Sequence, residues 1–121
     1  MYKDKTIAVV IPCYNEETQI EQVIHTMPDY VDKIVIVDDC SEDNTAKLVQ
    51  NCSQNDSRIE LIKHNQNRGC GGALATGYIW ARDNDFDVTV RMDGDGQMDP
   101  EDLESLLDPV VNGVTDYAKG N

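Results

Sequence analysis

Asp93 and Asp95 are the residues of this sequence best suited to chemistry, because one glycine separates them and an apolar run precedes them. Residues i and i+2 of an extended segment point to the same side, so both carboxylates can face one site. Two carboxylates on one side repel each other unless a cation lies between them, and hard divalent cations bind protein carboxylates together with phosphate oxygens. The spacing therefore predicts Mg²⁺ or Mn²⁺ bridging the chain to a nucleotide diphosphate. A solvated Asp-Gly turn is the simpler alternative.

A second acidic pair, Asp38 and Asp39, follows another apolar run. Adjacent residues at the end of a strand point to opposite sides, so the two carboxylates are expected to have different roles. One can accept hydrogen bonds from a nucleotide base and the other from ribose hydroxyls. The alternative is capping of the next helix, since Asp-Asp-x-Ser suits a helix N-terminus.

Three further features accompany these pairs. Tyr14 is a candidate stacking surface for a base, with ordinary core packing as the alternative. Glu16 can simply favour the positive end of the helix predicted to begin beside it. The glycine-rich segment 69–72, with Gly71 inside it, resembles a phosphate cradle at a helix N-terminus, and Arg68 is the cation nearest to it.

Short apolar runs alternate with helical patterns along the chain. The predicted strands cover residues 6–11, 33–37, 59–62, 88–92 and 115–118. The predicted helices begin at Asn15, at Ser41 or Asp43, within 69–72, and at Asp99. This alternation predicts an α/β fold with a mainly parallel sheet and helices on both faces, in a Rossmann-like arrangement. Ligands of such sheets bind beyond the carboxyl ends of the strands, where all the candidate residues fall.

The composition is that of one globular domain, 1–121, with 40% hydrophobic and 27% charged residues. The formal net charge of −13 argues against a nucleic-acid partner, because a polyphosphate would be repelled. No run approaches the roughly 20 apolar residues of a transmembrane helix, and the N-terminus lacks a secretory segment, so a cytoplasmic location is expected. The cysteines lack metal-site spacing and are predicted to be free thiols, and both histidines are predicted to be structural.

Four segments in order resemble family 2 glycosyltransferases of the GT-A fold. They are Val-Val-Ile-Pro-Cys-Tyr-Asn-Glu at 9–16, Ile-Val-Asp-Asp-Cys-Ser-Glu-Asp at 36–43, Asn-Arg-Gly with Gly-Gly-Ala at 67–73, and Asp-Gly-Asp-Gly-Gln at 93–97. The last segment is most similar to the polyprenyl-phosphate (dolichol-phosphate) mannosyltransferase branch. The resemblance implies a UDP- or GDP-sugar donor, a Mg²⁺ or Mn²⁺ cofactor, and inversion at the anomeric carbon.

The resemblance also implies roles for individual residues. Pro12, Tyr14 and Glu16 would line the nucleotide pocket. Asp38 would hold the base with Asp39 near it, although the roles of these two can be exchanged. Asp93 would bridge ribose and metal, Asp95 would bind the metal, and Gln97 would assist.

Enzymes of this family carry the carboxylate that deprotonates the acceptor in a further stretch, so the catalytic base is expected beyond residue 121. The chain is therefore expected to be the donor-binding half, inactive alone, with a sheet edge that can pair in a homodimer. The acceptor is expected to be a lipid phosphate or a glycan. Two alternatives stay open at this point: a nucleotidyltransferase acting on a sugar phosphate, and a non-enzymatic acidic regulatory domain of similar topology.

Overall fold

The computed structural model describes residues 2–93 and the backbone of 118–119. The elements are β1 (Ile7–Cys13), α1 (Ile20–His25), β2 (Lys33–Asp38), α2 (Thr45–Ser53), β3 (Ile59–Lys63), α3 (Gly69–Asp83), β4 (Val88–Arg91) and β5 (Ala118–Lys119). The predicted helix from Asp99 and most of the predicted strand 115–118 lie outside the described residues, as do Asp95 and Gln97. None of the described helices is long and apolar enough to cross a bilayer.

The strands form one sheet in the order β3-β2-β1-β4-β5, and every neighbouring pair is parallel. β1 and β2 are buried over nearly their whole length, which agrees with their unbroken apolar runs. Because β1, β2 and β4 are adjacent and parallel, the residues after each of them meet at one edge. The predicted α/β fold with a parallel sheet is confirmed.

Helices cover both faces of the sheet. Alternate strand residues, such as Ile34 and Ile36, pack on one side with the apolar stripe of α1 and with Val49 of α2. Val35 and Val37 point to the other side, where α3 packs. This alternation places Asp38 on the α1–α2 side and Asp39 on the α3 side, as their adjacency predicts.

Small residues bring α3 close to the sheet. Ala73, Gly77 and Ala81 are its buried positions, at intervals of four, and they form the stripe that faces the strands. A Cβ atom added at Gly77 would lie 2.3 Å from Cγ1 of Val10, in the middle of β1. The first turn of α3 is thereby held over the carboxyl end of the sheet.

Several predicted boundaries were wrong. β1 was expected to end before Pro12, yet it continues through Cys13. The carbonyl of Val10 accepts a hydrogen bond from the N–H of Met92, and the carbonyl of Cys13 accepts one from the N–H of Asp39. Pro12 therefore faces the β4 side, beyond the last β1–β4 pair. Because no strand residue pairs with it there, the N–H that proline lacks is not needed for a hydrogen bond of the sheet.

Two helices also begin later than predicted. α1 starts at Ile20 instead of just after Asn15, and α2 starts at Thr45 instead of after Ser41 or Asp43. Asp43 accepts a hydrogen bond from the N–H of Thr45, the first residue of α2, whereas the other two expected caps bind elsewhere. Asn15 accepts a hydrogen bond from the N–H of Glu42, and Ser41 donates to Asp38.

Candidate functional site

An open cleft lies at the carboxyl edge of the sheet, between the ends of β1, β2 and β4 and the first turns of α3. Its wall consists of Pro12, Cys13, Tyr14, Glu16, Asp39, Cys70, Ala73 and Asp93. Three of these side chains are carboxylates, and Tyr14 is 45% exposed. The cleft thus combines a flat aromatic surface with oxygen ligands, which suits a ligand with both an apolar ring and a charged group.

The loops after β1 and β2 are joined to each other by hydrogen bonds. The N–H of Asn15 donates to Ser41 at 2.9 Å, and its side-chain oxygen accepts from the N–H of Glu42 at 2.9 Å. The N–H of Glu16 donates to Oγ1 of Thr45 at 2.9 Å. These hydrogen bonds connect the loop that carries Tyr14 and Glu16 to the loop after β2 and to the start of α2.

Left-handed backbone conformations make this arrangement possible. Asn15 has φ of 54° and Cys40 has φ of 63°. Asparagine tolerates this region well, whereas a cysteine there is strained. The two residues turn their loops sharply at the strand ends, which brings the loops into contact.

Asp39 is anchored by three donors. Its Oδ1 accepts from Nδ1 of His64 and from the N–H of Arg68, and its Oδ2 accepts from the N–H of Gly69, all at 2.8 Å. Burial alone would raise the pKa of Asp39, but these hydrogen bonds outweigh it and hold the pKa below the usual value of 3.8. Asp39 is therefore a carboxylate with a fixed position on the cleft wall.

This arrangement changes the interpretation of the glycine-rich segment. The N–H of Gly69, at the start of α3, donates to Asp39. The positive end of the helix is thus neutralised by a carboxylate of the chain itself. The predicted phosphate cradle is occupied at this position by Asp39.

His64, which was predicted to be structural, contacts the cleft-wall carboxylate of Asp39. Its side chain is 4% exposed, and its Nε2 lies 2.8 Å from Oγ1 of Thr76 in α3. Thr76 also donates to the carbonyl of Gly72 at 3.0 Å. His64 therefore links Asp39 to the body of α3, a contact between distant segments that no sequence spacing indicates.

Asp93 lies on the opposite side of the cleft wall and is paired with Arg91. Nε and Nη2 of Arg91 donate to Oδ1 of Asp93 at 3.2 and 3.1 Å. Within the described ranges Oδ2 of Asp93 accepts no hydrogen bond. Among residues 2–93, the hydrogen bonds of this carboxylate thus involve Oδ1 alone.

The described residues do not form a metal site by themselves. Among residues 2–93, no three His, Cys, Asp or Glu side chains converge as metal ligands. The carboxylate of Asp93 fits the preference of a hard divalent cation, which takes one or two protein carboxylates. The partners predicted for it, Asp95 and Gln97, lie outside the described residues.

The structure brings five of the predicted site residues to one cleft: Pro12, Tyr14, Glu16, Asp39 and Asp93. Three others are not part of its wall. Asp38 is buried on the α1–α2 side beside Ser41, and Arg68 and Gly71 are exposed at the start of α3. The roles predicted for all of these residues stay predictions.

Sequence reasoning missed Arg91, Cys70 and Cys13 as parts of the site. The sequence did indicate Arg91, because it lies two residues before Asp93 and the two side chains point to the same side of an extended segment. Cys70 contacts Nη2 of Arg91 at 3.4 Å. Burial, followed by the nearby carboxylates of Glu16, Asp38 and Asp43, raises the pKa of Cys13, which stays a neutral thiol.

The family model for glycosyl transferase family 2 matches residues 8–121. The chain belongs to glycosyl transferase family 2. The match extends over both acidic pairs and the glycine-rich segment, so the cleft lies within the family's domain.

Curated relatives of this family 2 chain include enzymes that act on lipid phosphates. A UDP-N-acetylglucosamine–dolichyl-phosphate N-acetylglucosaminyltransferase from Methanococcus voltae is 37% identical, over 98% of this chain and 52% of the relative. An undecaprenyl-phosphate mannosyltransferase from Micrococcus luteus is 31% identical, over 86% of this chain and 44% of the relative. The chain spans about half the length of the curated relatives it matches.

Solved structures of glycosyltransferases have the same fold. A mannosyltransferase from Pyrobaculum calidifontis, in complex with GDP-Man and Mn²⁺, matches 78% of this chain and 28% of its own with a TM-score of 0.67 and 26% identity. Glucosyl-3-phosphoglycerate synthase from Mycobacterium tuberculosis, in complex with Mn²⁺, UDP-glucose and glycerol 3-phosphate, matches 91% of this chain and 41% of its own. Its TM-score is 0.67 and its identity 27%. The fold is therefore that of the GT-A glycosyltransferases.

Proposed function

We propose that this chain is the donor-binding part of a glycosyltransferase that moves a sugar from a nucleotide diphosphate to a polyprenyl phosphate. The observation that carries the proposal is the single cleft that gathers Tyr14, Glu16, Asp39 and Asp93 at the carboxyl edge of the sheet. The names of two relatives, which specify dolichyl and undecaprenyl phosphate, support the acceptor class. Membership of a glycosyl transferase family favours this reaction over nucleotidyl transfer and over a regulatory role.

The nucleotide would lie along the wall formed by the end of β1. The exposed ring of Tyr14 offers a face for the base, and stacking of this kind contributes about 1 kcal/mol. Asp39 has three of its lone-pair positions filled by His64, Arg68 and Gly69, and its remaining capacity can accept a hydroxyl or an N–H of the nucleoside. Because its position is fixed before binding, little ordering is needed on association.

Asp93 would hold a divalent cation, together with Asp95 and Gln97. When bound, such a cation acts as a Lewis acid that offsets the negative charge developing on the nucleotide diphosphate as the sugar bond breaks. The contribution of this chain is to present the carboxylate of Asp93 on the cleft wall, with Arg91 holding its Oδ1. Either Mg²⁺ or Mn²⁺ suits this donor set.

Calorimetric titration tests the proposal. UDP, GDP, UDP-N-acetylglucosamine and GDP-mannose are titrated into the chain with Mn²⁺, with Mg²⁺ and with EDTA. We expect one base to bind measurably with a cation and at least about ten-fold more weakly without it, since the cation bridges protein and diphosphate. The base that binds identifies the donor class.

Two pairs of variants assign the binding to the cleft. Tyr14→Ala is compared with Ile79→Ala, because the two side chains are similarly exposed, at 45% and 48%, and Ile79 is on the outside of α3. Asp93→Asn is compared with Asp83→Asn, an exposed carboxylate paired with Arg82. We expect the cleft variants to weaken binding and the α3 variants to leave it unchanged. Equal effects in both pairs, or binding that ignores the cation, would refute the proposal.

A further inference from the structure

The guanidinium of Arg91 lies directly behind the cleft wall. Arg91 is the last residue of β4, its side chain is 20% exposed, and Nε and Nη2 contact Oδ1 of Asp93. Nη2 also contacts Sγ of Cys70 in the first turn of α3, at 3.4 Å. Both neighbours of this guanidinium are parts of the cleft wall.

Arg91 gives Asp93 a partner when no cation is bound. The described cleft wall carries the carboxylates of Glu16, Asp39 and Asp93. Among the arginines in the described part of the chain, Arg91 is the one that pairs with a carboxylate of this wall through its side chain. Arg58 and Arg82 pair with Asp56 and Asp83, outside the wall.

A fixed positive charge beside Asp93 has opposite effects on the two expected ligands. It repels a cation that approaches the same carboxylate, and it attracts the diphosphate of a nucleotide. The pair is only partly exposed, so solvent and salt screen it less than a surface pair. Arg91 therefore lowers the affinity for a bare cation and raises the affinity for the nucleotide.

We propose that Arg91 is a positioning residue that makes cation binding depend on the donor. Through Asp93 it disfavours a cation bound alone and favours the cation together with a nucleotide diphosphate. The proposal rests on the function proposed above, since it requires a donor and a divalent cation in this cleft. It adds a residue outside the cleft wall whose charge acts in opposite directions on the affinities for the cation and for the nucleotide.

Two binding constants measured on Arg91→Gln test this inference. The dissociation constant of Mn²⁺ alone is obtained from the electron paramagnetic resonance signal of free Mn²⁺. The dissociation constant of UDP or GDP at saturating Mn²⁺ is obtained by calorimetry. We expect Arg91→Gln to bind Mn²⁺ alone about three- to ten-fold more tightly and the nucleotide about three- to ten-fold more weakly, as the loss of one nearby charge implies.

Arg82→Gln is the matched control, because it removes an arginine from an exposed Arg–Asp pair on α3 and should change both constants less than two-fold. Arg91→Lys keeps the charge and should bind Mn²⁺ alone like the unaltered chain. Arg91→Met keeps much of the side-chain volume of arginine. If Arg91→Gln does not fold, both dissociation constants are measured on Arg91→Met.

The outcomes separate this inference from the proposed function. If the unaltered chain and Arg82→Gln bind neither UDP nor GDP with Mn²⁺, the proposed function fails and this inference fails with it. If they bind a nucleotide but the Arg91 variant shifts both constants in the same direction, or neither, the inference alone is overturned. Opposite shifts support it, because general loosening of the site would weaken both ligands.

Discussion

The close contact between Gly77 and Val10 leads to a prediction about how α3 is held over the cleft. A Cβ at position 77 would lie 2.3 Å from Cγ1 and 3.1 Å from Cγ2 of Val10, and Val10 is fully buried in β1. Ordinary contacts between carbon atoms begin near 3.5 Å, so α3 or Val10 must move by about 1 Å in Gly77→Ala. The central strand is buried on both faces, which leaves α3 as the element more able to move.

The magnitude follows from two opposing terms. Overpacking of a core contact costs about 1–3 kcal/mol, and the distance of 2.3 Å points to the upper end of that range. Alanine in a helix interior gains about 1 kcal/mol over glycine. We therefore expect Gly77→Ala to lower the free energy of unfolding by about 2 kcal/mol, despite the higher helix propensity of alanine.

Urea denaturation followed by far-UV circular dichroism measures this effect. Gly71→Ala is the matched control, since a Cβ there meets nothing within 4 Å and should stabilise the chain slightly. In the Val10→Ala background, Gly77→Ala should cost little, because the clashing methyl groups are gone. If Gly77→Ala and Gly71→Ala change stability alike, or if Val10→Ala does not relieve the cost, the reasoning from close packing is refuted.

Three further variants test the loops around the cleft. Cys40→Gly should raise the free energy of unfolding by about 1 kcal/mol, visible as a higher melting temperature, because glycine relieves the strain at φ of 63°. Asn15→Ala should lower it by about 1–2 kcal/mol by removing the hydrogen bond to Glu42; Asn84→Ala is the exposed control. Asp39→Asn should destabilise the chain by about 2 kcal/mol at pH 7. Burial raises the pKa of Asp39 but its hydrogen bonds lower it more, so its contribution is complete above pH 3.8 and is lost as the pH falls through the lower folded-state pKa. The gap in free energy of unfolding between Asp39→Asn and the unaltered chain should therefore narrow as the pH falls below 3.8, and a constant gap would contradict the assignment.

The fold was predictable because the buried strands are recognisable in the sequence as apolar runs. The runs at 7–11 and 34–37 are apolar without interruption, which is what a strand covered on both faces requires. The alternation with helical segments then implies parallel pairing, and parallel pairing places Tyr14, Asp39 and Asp93 at one edge.

The details that could not be predicted depend on contacts between distant segments. Asn15 is a good helix cap by local rules, yet its side chain binds the loop after β2, so α1 begins at Ile20. In α3 the large side chain of Ile79 is 48% exposed, whereas the buried stripe consists of the small residues Ala73, Gly77 and Ala81. Hydrophobic periodicity gives most weight to large side chains, and a helix that approaches a sheet this closely uses small ones.

The chain is acidic and its expected ligand is an anionic donor, and the two are compatible because two of the three cleft carboxylates, Asp39 and Asp93, have donors of their own. Asp39 receives three hydrogen-bond donors, two of them backbone N–H groups, and Asp93 receives the guanidinium of Arg91. A carboxylate with fixed donors around it exerts much less repulsion on a nearby phosphate than a free one. The net charge of −13 therefore says little about the local potential in the cleft. Donor affinity in such a site depends on fixed dipoles, one guanidinium and a bound cation instead of a basic patch, which is why the charge balance at Asp93 should decide whether cation and nucleotide bind together.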